Sequence, residues 1–496
     1  MSGTTTPQTI SFREIPDPWQ VPGSLLEVVP GYQNASVLPL PARTLIIAQM
    51  TAAGTAAPGT VIPNVTRVLD GRALAGTGSH MDRLITAYLA TGTAIPLDVI
   101  CLADAAGATK AGWTYTFAGT ATQGGTPAVG IAGRRVSIGT LAGDMAAVAA
   151  AEFAAAINAI PTLPVTATAA GAVVTVTACN GGLYGNEITH ILNPMRGDVM
   201  PPGLTLAIAQ PVSGATNPSI GAALNLVTHT FYTDVILGPS DTPNKTLLNA
   251  ELERRFTAMV HMDCRGHYGF SGTLAQALSD AAALNARFLY QCPVNTPGTP
   301  ASEWAASAAG ICSTYLLTDP SRQLDQIAMP GIVGPQAPTV FIDTEQEQLL
   351  LGGCSVFRMR SDGTVQMKRY VSTYTTNAAG ALDPAWHDVM AQAVDARIRY
   401  DWRAHFRDVY PTNKLADDGT LAAESDPQIC TPKRAKGTWM ARKQLYGRLG
   451  WITNVNDDDA TFVIHPTDIN RLDYRIPITR IGNLIVDAGQ LVMNVS

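Results

Sequence analysis

Between positions 261 and 272 the chain reads HMDCRGHYGFSG. Two histidines, an aspartate, a cysteine and a glycine-flanked serine fall within that stretch. Such a set could hold a metal through His261, Asp263, Cys264 and His267, or supply a nucleophile in Ser271 or Cys264. A metal needs ligands that converge, whereas alternation along a strand sends His261 and Asp263 to one face and Cys264 to the other. No HExxH-type spacing helps them. A hydrolase elbow reads GxSxG, but after Gly269-Phe270-Ser271-Gly272 the chain has Thr273 where the closing glycine belongs. A triad would further require a distant His and Asp. The favoured reading is structural: a buried strand over 257–264, a glycine turn, then a helix capped by Ser271 or Thr273.

Other chemistry-bearing letters are sparser. Gly76-Thr77-Gly78-Ser79 stands ahead of a helical pattern, yet the GK[ST] ending of a phosphate loop is missing. Lys433, Arg434 and Lys436, with Arg442 and Lys443 beyond, form the strongest basic cluster, and Asp457, Asp458 and Asp459 its acidic counterpart. These read as a solvated surface, or as a charged interface between subunits or with an acidic partner. The aspartates lack the alternating ligands and closing glutamate of a calcium loop. Seven scattered cysteines without a CxxC pair point to buried reduced thiols. No metal, cofactor or catalytic residue is expected.

The elements that would position these residues suggest several domains, as 496 residues exceed what one core usually holds. Only 15% of residues are charged while 46% are hydrophobic, which fits an exterior largely covered by partner copies. A net charge of −6 argues against a general nucleic-acid binder. The first residues lack a basic flank before an apolar stretch, and no run of eighteen apolar residues occurs, so neither a signal peptide nor a membrane span is expected. Residues 1–30 are proline-rich with a strand-like Ile10 and Phe12. Residues 31–104 read as a small α/β domain. Residues 105–200, rich in Ala, Gly and Thr, read as an inserted β-sandwich or barrel with one helix over 144–160. A loose connector (201–229) leads to alternating strands and helices over 230–375, a doubly wound, mostly parallel sheet with strands at 230–237, 257–264, 288–292 and 339–342. Residues 376–496 form an α+β domain with a long helix over 383–408 and a strand-like tail from 460 that closes on Leu491, Met493 and Val495. Thus the fold class is α/β plus β, multidomain, with an orphan strand at each end.

Taken in order, these pieces resemble the tail sheath proteins of contractile-tailed bacteriophages, Mu-like branch. The likeness is carried by Ile15-Pro16, Val21-Pro22-Gly23, Glu27 and Asn34-Ala35 leading into Arg43-Thr44-Leu45-Ile46-Ile47-Ala48-Gln49. It continues in Gly76-Thr77-Gly78-Ser79 before Met81 and Ala87-Tyr88, and in the strand from Val173 to Cys179 followed by Asn180-Gly181-Gly182-Leu183-Tyr184-Gly185-Asn186-Glu187-Ile188. The resemblance implies a central α/β domain of subtilisin-like topology without a working triad, and a C-terminal domain facing a tail tube. It also implies terminal arms that add strands to neighbouring subunits, which would use Ile10, Phe12, Leu491, Met493 and Val495 here. The implied partners are further copies in a six-fold helical sheath, the tail tube protein, and baseplate and tail terminator proteins, without direct nucleic-acid contact or membrane insertion. The implied place is the virion tail, assembled in the host cytoplasm. The rival readings are the sheath of a tailocin or type VI-like injection system and, from another class, a subtilisin-like or cysteine hydrolase.

Overall fold

The computed structural model describes residues 37–195, 197–336, 339–491 and 493. Its first strand follows from an unbroken apolar run: all six residues of β1 (Thr44–Gln49) are buried, as in a strand covered on both faces. Next come β2 (Val61–Ile62), α1 (Val68–Ala75), α2 (His80–Leu89) and β3 (Leu97–Leu102). The Gly76–Ser79 stretch starts α2, with the Ser79 hydroxyl accepting from the Asp82 amide at 3.1 Å.

The inserted body comprises β4 (Lys110–Gly119), β5 (Ala128–Ile131), β6 (Arg134–Ser137), α3 (Ala146–Asn158), β7 (Val165–Ala170), β8 (Val173–Gly181), β9 (His190–Leu192) and β10 (Leu204–Val212). Its strands form two antiparallel sheets, ordered β10-β4-β8-β7 and β6-β5-β9. Trp113, Tyr115 and Phe117 alternate inward from β4 to meet Val129, Ile131 and Phe153 of α3 in a core separate from that of the main sheet. Residues 201–218, expected as a connector, contain β10, because Leu204, Leu206 and Ile208 alternate onto this core. Prolines on either side had masked that period. The insertion therefore reaches past 200, and a bridge between Thr109 and Ala215 brings its ends together.

The chain continues through α4 (Gly221–Leu226), β11 (Asp234–Leu237), α5 (Thr242–Phe256), β12 (Arg265–Ser271), α6 (Leu274–Leu284), β13 (Leu289–Val294) and α7 (Ala301–Thr318). One six-stranded sheet runs β13-β12-β11-β1-β3-β2, parallel except for β2. Segments 31–104 and 230–375, expected as separate domains, thus share a single sheet, in which β1 pairs with both β3 and β11. Helices α2 and α7 cover one face through Met81, Leu84, Tyr88, Trp304 and Ile311. The other face is covered by α4 and α5 through Leu224, Leu248 and Leu252.

The expected strand over 257–264 is not one. Residues 257–262 fold back onto the end of α5, where the His261 amide bonds to the Thr257 carbonyl and the Met262 amide to the Arg255 carbonyl. The strand lies one step later, through the residues expected to turn. Its glycines mark close approach: a Cβ on Gly269 would sit 2.1 Å from the Ala301 carbonyl carbon, and one on Gly266 2.8 Å from Leu252 and Leu289.

After α7 come β14 (Ala328–Val333), α8 (Asp343–Leu351), β15 (Val356–Met359) and β16 (Thr364–Arg369), with a three-stranded sheet ordered β14-β16-β15. The strand expected at 339–342 is instead the approach to α8, where Glu345 accepts from the Ile342 amide at 2.9 Å. The C-terminal part holds α9 (Val389–Val409), α10 (Leu421–Ser425), α11 (Pro432–Arg448), β17 (Thr461–His465) and β18 (Asp468–Arg475). Helix α9 begins at 389 and not at 383, since Asp383 accepts from the Ala385 amide at 2.9 Å and Ser372 donates to the Trp386 carbonyl at 2.8 Å. The tail is strand only over the β17–β18 hairpin; residues 476–491 belong to no strand or helix.

Candidate functional site

The parallel register of β11 and β12 places Arg265 beside Asp234 and His267 two residues further on. Asp234, wholly buried, accepts from Arg265 Nε at 2.8 Å and Nη2 at 3.0 Å, and from His267 Nε2 at 2.9 Å. The Nδ1 of His267 meets the Tyr370 hydroxyl at 2.8 Å, so these partners suit a neutral imidazole that donates from Nε2. Burial alone would raise the Asp234 pKa, but the Arg265 charge and the His267 hydrogen bond hold it well below the usual carboxylate range. Burial pushes His267 down, partly offset by Asp234. The rings of His267, Tyr290 and Tyr370 stack around this point. The result is an acid–base pair without a nucleophile, closed inside a sheet.

Neither expected nucleophile joins it. Cys264 is buried, and burial pushes its thiol up to about 12, which leaves no thiolate near neutral pH. Ser271 is exposed at the end of β12 and touches no histidine. Thr273 caps α6 in a capping box with Gln276. His261 sits in a turn at φ 48, and Asp263 pairs with Arg399 at 3.0 Å. Among the described residues, no group of three or more His, Cys, Asp or Glu side chains is placed to hold a metal ion, and no helix is long and apolar enough to cross a membrane.

One pairing was invisible in the sequence because 222 positions separate its members: His80 Nε2 lies 3.2 Å from Ser302 Oγ. It resembles half a catalytic triad, but the Nδ1 of His80 has no partner and both residues are fully buried. His80 instead stacks on Tyr184 of the insertion, with ring centroids 3.8 Å apart. Glu187 of the insertion accepts from the Ser302 amide in the first turn of α7 at 3.3 Å. Burial lowers His80 to about 3, which leaves it uncharged in the neutral range, and raises Glu187 to about 7, so that its carboxyl titrates within that range. A second tie holds Asn180 and Gln49 to Asp104 at 3.0 and 2.8 Å. Together these groups tie the insertion to the main sheet.

The charged candidates pair with each other inside the chain. Lys436 reaches Asp458 at 2.8 Å, and the buried Lys443 ammonium reaches the Asp457 carbonyl at 2.8 Å and Asp459 at 3.2 Å. Arg434 donates to the carbonyls of Ala423, Asp426 and Ile429, and the Lys433 amide to Asp418. Of the arm residues, Leu491 and Met493 are 89% and 81% exposed; Ile10, Phe12 and Val495 lie outside the described residues.

No protein-family model matches the chain. It is 28% identical, over 437 residues, to the Mu-like prophage FluMu tail sheath protein of Haemophilus influenzae, covering 87% of this chain and 88% of that protein. The chain is therefore similar, over most of its length, to a Mu-like tail sheath protein. Two solved structures show a lower likeness to this chain. The sheath tail protein of Desulfitobacterium hafniense has a TM-score of 0.48 at 15% identity, covering 92% of this chain and all of that one. The contracted helical sheath of the anti-feeding prophage has 0.46 at 10%, covering 96% and 99%.

Proposed function

We propose that this chain is the structural subunit of a contractile phage tail sheath, polymerising as stacked six-fold rings around a tail tube. The observation that carries this reading is the similarity to a tail sheath protein over 87% of this chain and 88% of that protein. The described geometry is consistent with it, since the acid–base pair of Asp234 and His267 is buried inside the sheet. After Ile481, whose amide bonds to the Trp451 carbonyl at 3.1 Å, the tail leaves the body and exposes Leu484, Val486, Leu491 and Met493. An extended apolar segment with unpaired backbone groups is suited to adding a strand to a neighbouring copy.

In this reading the sheath is assembled in an extended, metastable state, and the better-packed contracted lattice supplies the energy that drives the tube through the host envelope. The central sheet would share subtilisin-like topology without its chemistry, and Ile10 and Phe12 would supply the matching N-terminal strand. Baseplate, terminator and tube proteins would be the other partners. The test is sedimentation of the full chain beside a chain ended at Ile481. The full chain is expected as large polymers and the shortened chain as a folded monomer; polymers from both would refute the arm's role.

A further inference from the structure

At the N-terminal edge of the main sheet, α9 crosses the starts of β11 and β12 and closes a cavity of about 30 Å³. A single water needs about 10–15 Å³ by the same measure, so the space has room for a group of two or three water-sized atoms. Its charge is one-sided. Arg265, Arg397, Arg399 and Arg403 line it against one carboxylate, Asp263.

The nearby acids are already engaged. Asp263 is taken by Arg399 at 3.0 Å, and Asp234 by Arg265 and His267. Asp401, one turn from Arg397, binds Arg442 at 2.6 Å and the Tyr446 hydroxyl at 2.6 Å. Arg397 is only 7% exposed, and its Nε and Nη1 have no hydrogen-bond partner among the described residues; its guanidinium merely lies 6.0 Å over the Trp451 ring. Arg403, half-buried and six residues further along α9, likewise makes no hydrogen bond or ion pair among the described residues. Buried guanidinium groups are normally matched by an anion, and their planar fork fits oxyanions in particular. A chain of net charge −6 that concentrates unmatched arginines around a small cavity has an anion's place in it.

We propose that this cavity is a binding site for a small inorganic oxyanion of the phosphate class, held by Arg397 and Arg403 between α9 and the sheet. The anion would neutralise the guanidinium pair and fasten α9 to the sheet edge. It would lie at the edge opposite to the one where open α/β sheets usually place ligands, so no enzymatic use is implied.

The test is thermal unfolding and calorimetric titration of the full chain with inorganic phosphate, against sodium chloride at matched ionic strength. Wild type is expected to bind phosphate saturably and to unfold at higher temperature as it does so. Arg403→Gln, on the less buried side, is expected to weaken that binding at least about tenfold, in line with the loss of a charge-assisted contact. Arg397→Leu is expected to abolish it and to raise the phosphate-free melting temperature, because it removes an unmatched buried charge. An equal response in wild type and Arg403→Gln would mean only general salt stabilisation, and an absent saturable response in wild type would mean that water fills the cavity. Either result overturns the proposal, and Arg403→Gln decides it even where Arg397→Leu does not fold.

Discussion

A carboxylate, a guanidinium and an imidazole meet at Asp234, and each stays in place because the others do. Removing one member of a buried ion pair typically costs about 3–5 kcal/mol, since the remaining charge is left without a partner. Asp234→Asn is therefore expected to lower unfolding stability by roughly that amount in urea titrations. Glycine 269 is constrained in another way. A methyl group there would overlap the Ala301 and Ser302 backbone at 2.1–2.3 Å, which cannot yield as a side chain can. Gly269→Ala should cost about 2 kcal/mol or more, while Gly363→Ala, whose added methyl meets nothing within 4 Å, loses only its positive-φ preference. His190 gives a pH signature. Burial beside Tyr115 and Trp113 lowers it to about 3 from an ordinary 6.5. A lowered base favours the folded state fully above 6.5 and loses that advantage as pH falls towards 3. Relative to His190→Gln, wild type should lose about 2 kcal/mol of stability between pH 6.5 and 5, at about 1.4 kcal/mol per unit.

At the scale of elements, apolar runs were legible and chain reversals were not. α3, β11 and β13 stand close to the helix over 144–160 and the strands over 230–237 and 288–292 that their patterns predict, because burial on one or both faces dictates those patterns. The stretch from His261 to Ser271 misled for a definite reason: Gly266 and Gly269 look like turn residues, yet they are strand residues pressed against neighbouring side chains and backbone. The long helix started late because local side-chain bonds at Asp383 and Ser372 compete with the first helical turn. No short-range signal could reveal the His80–Ser302 contact or the Arg397 cavity, which depend on elements hundreds of positions apart. The insertion, by contrast, has a core of its own and ends that meet at Thr109 and Ala215. Expressed alone, residues 105–217 are expected to unfold cooperatively by circular dichroism; a featureless, non-cooperative melt would show that the joint at Glu187 and Asp104 is needed for folding.

For the whole molecule, sharing one sheet between segments on both sides of the insertion makes the main body a single stiff unit. Stiffness suits a subunit that passes force without being deformed by it, and the contacts at Glu187 and Asp104 tie the insertion to that unit. Lys436 and Lys443 already pair with Asp458 and Asp459 within the chain, so the exposed apolar tail is the better candidate for contact between copies. What made the sheath reading legible from the sequence was the order of its pieces, since no single motif carries chemistry. The most direct measurement is negative-stain electron microscopy of the purified full chain. Hollow tubes or stacked rings with six-fold end views are expected, whereas a uniform field of dispersed monomers under assembly conditions would contradict the account.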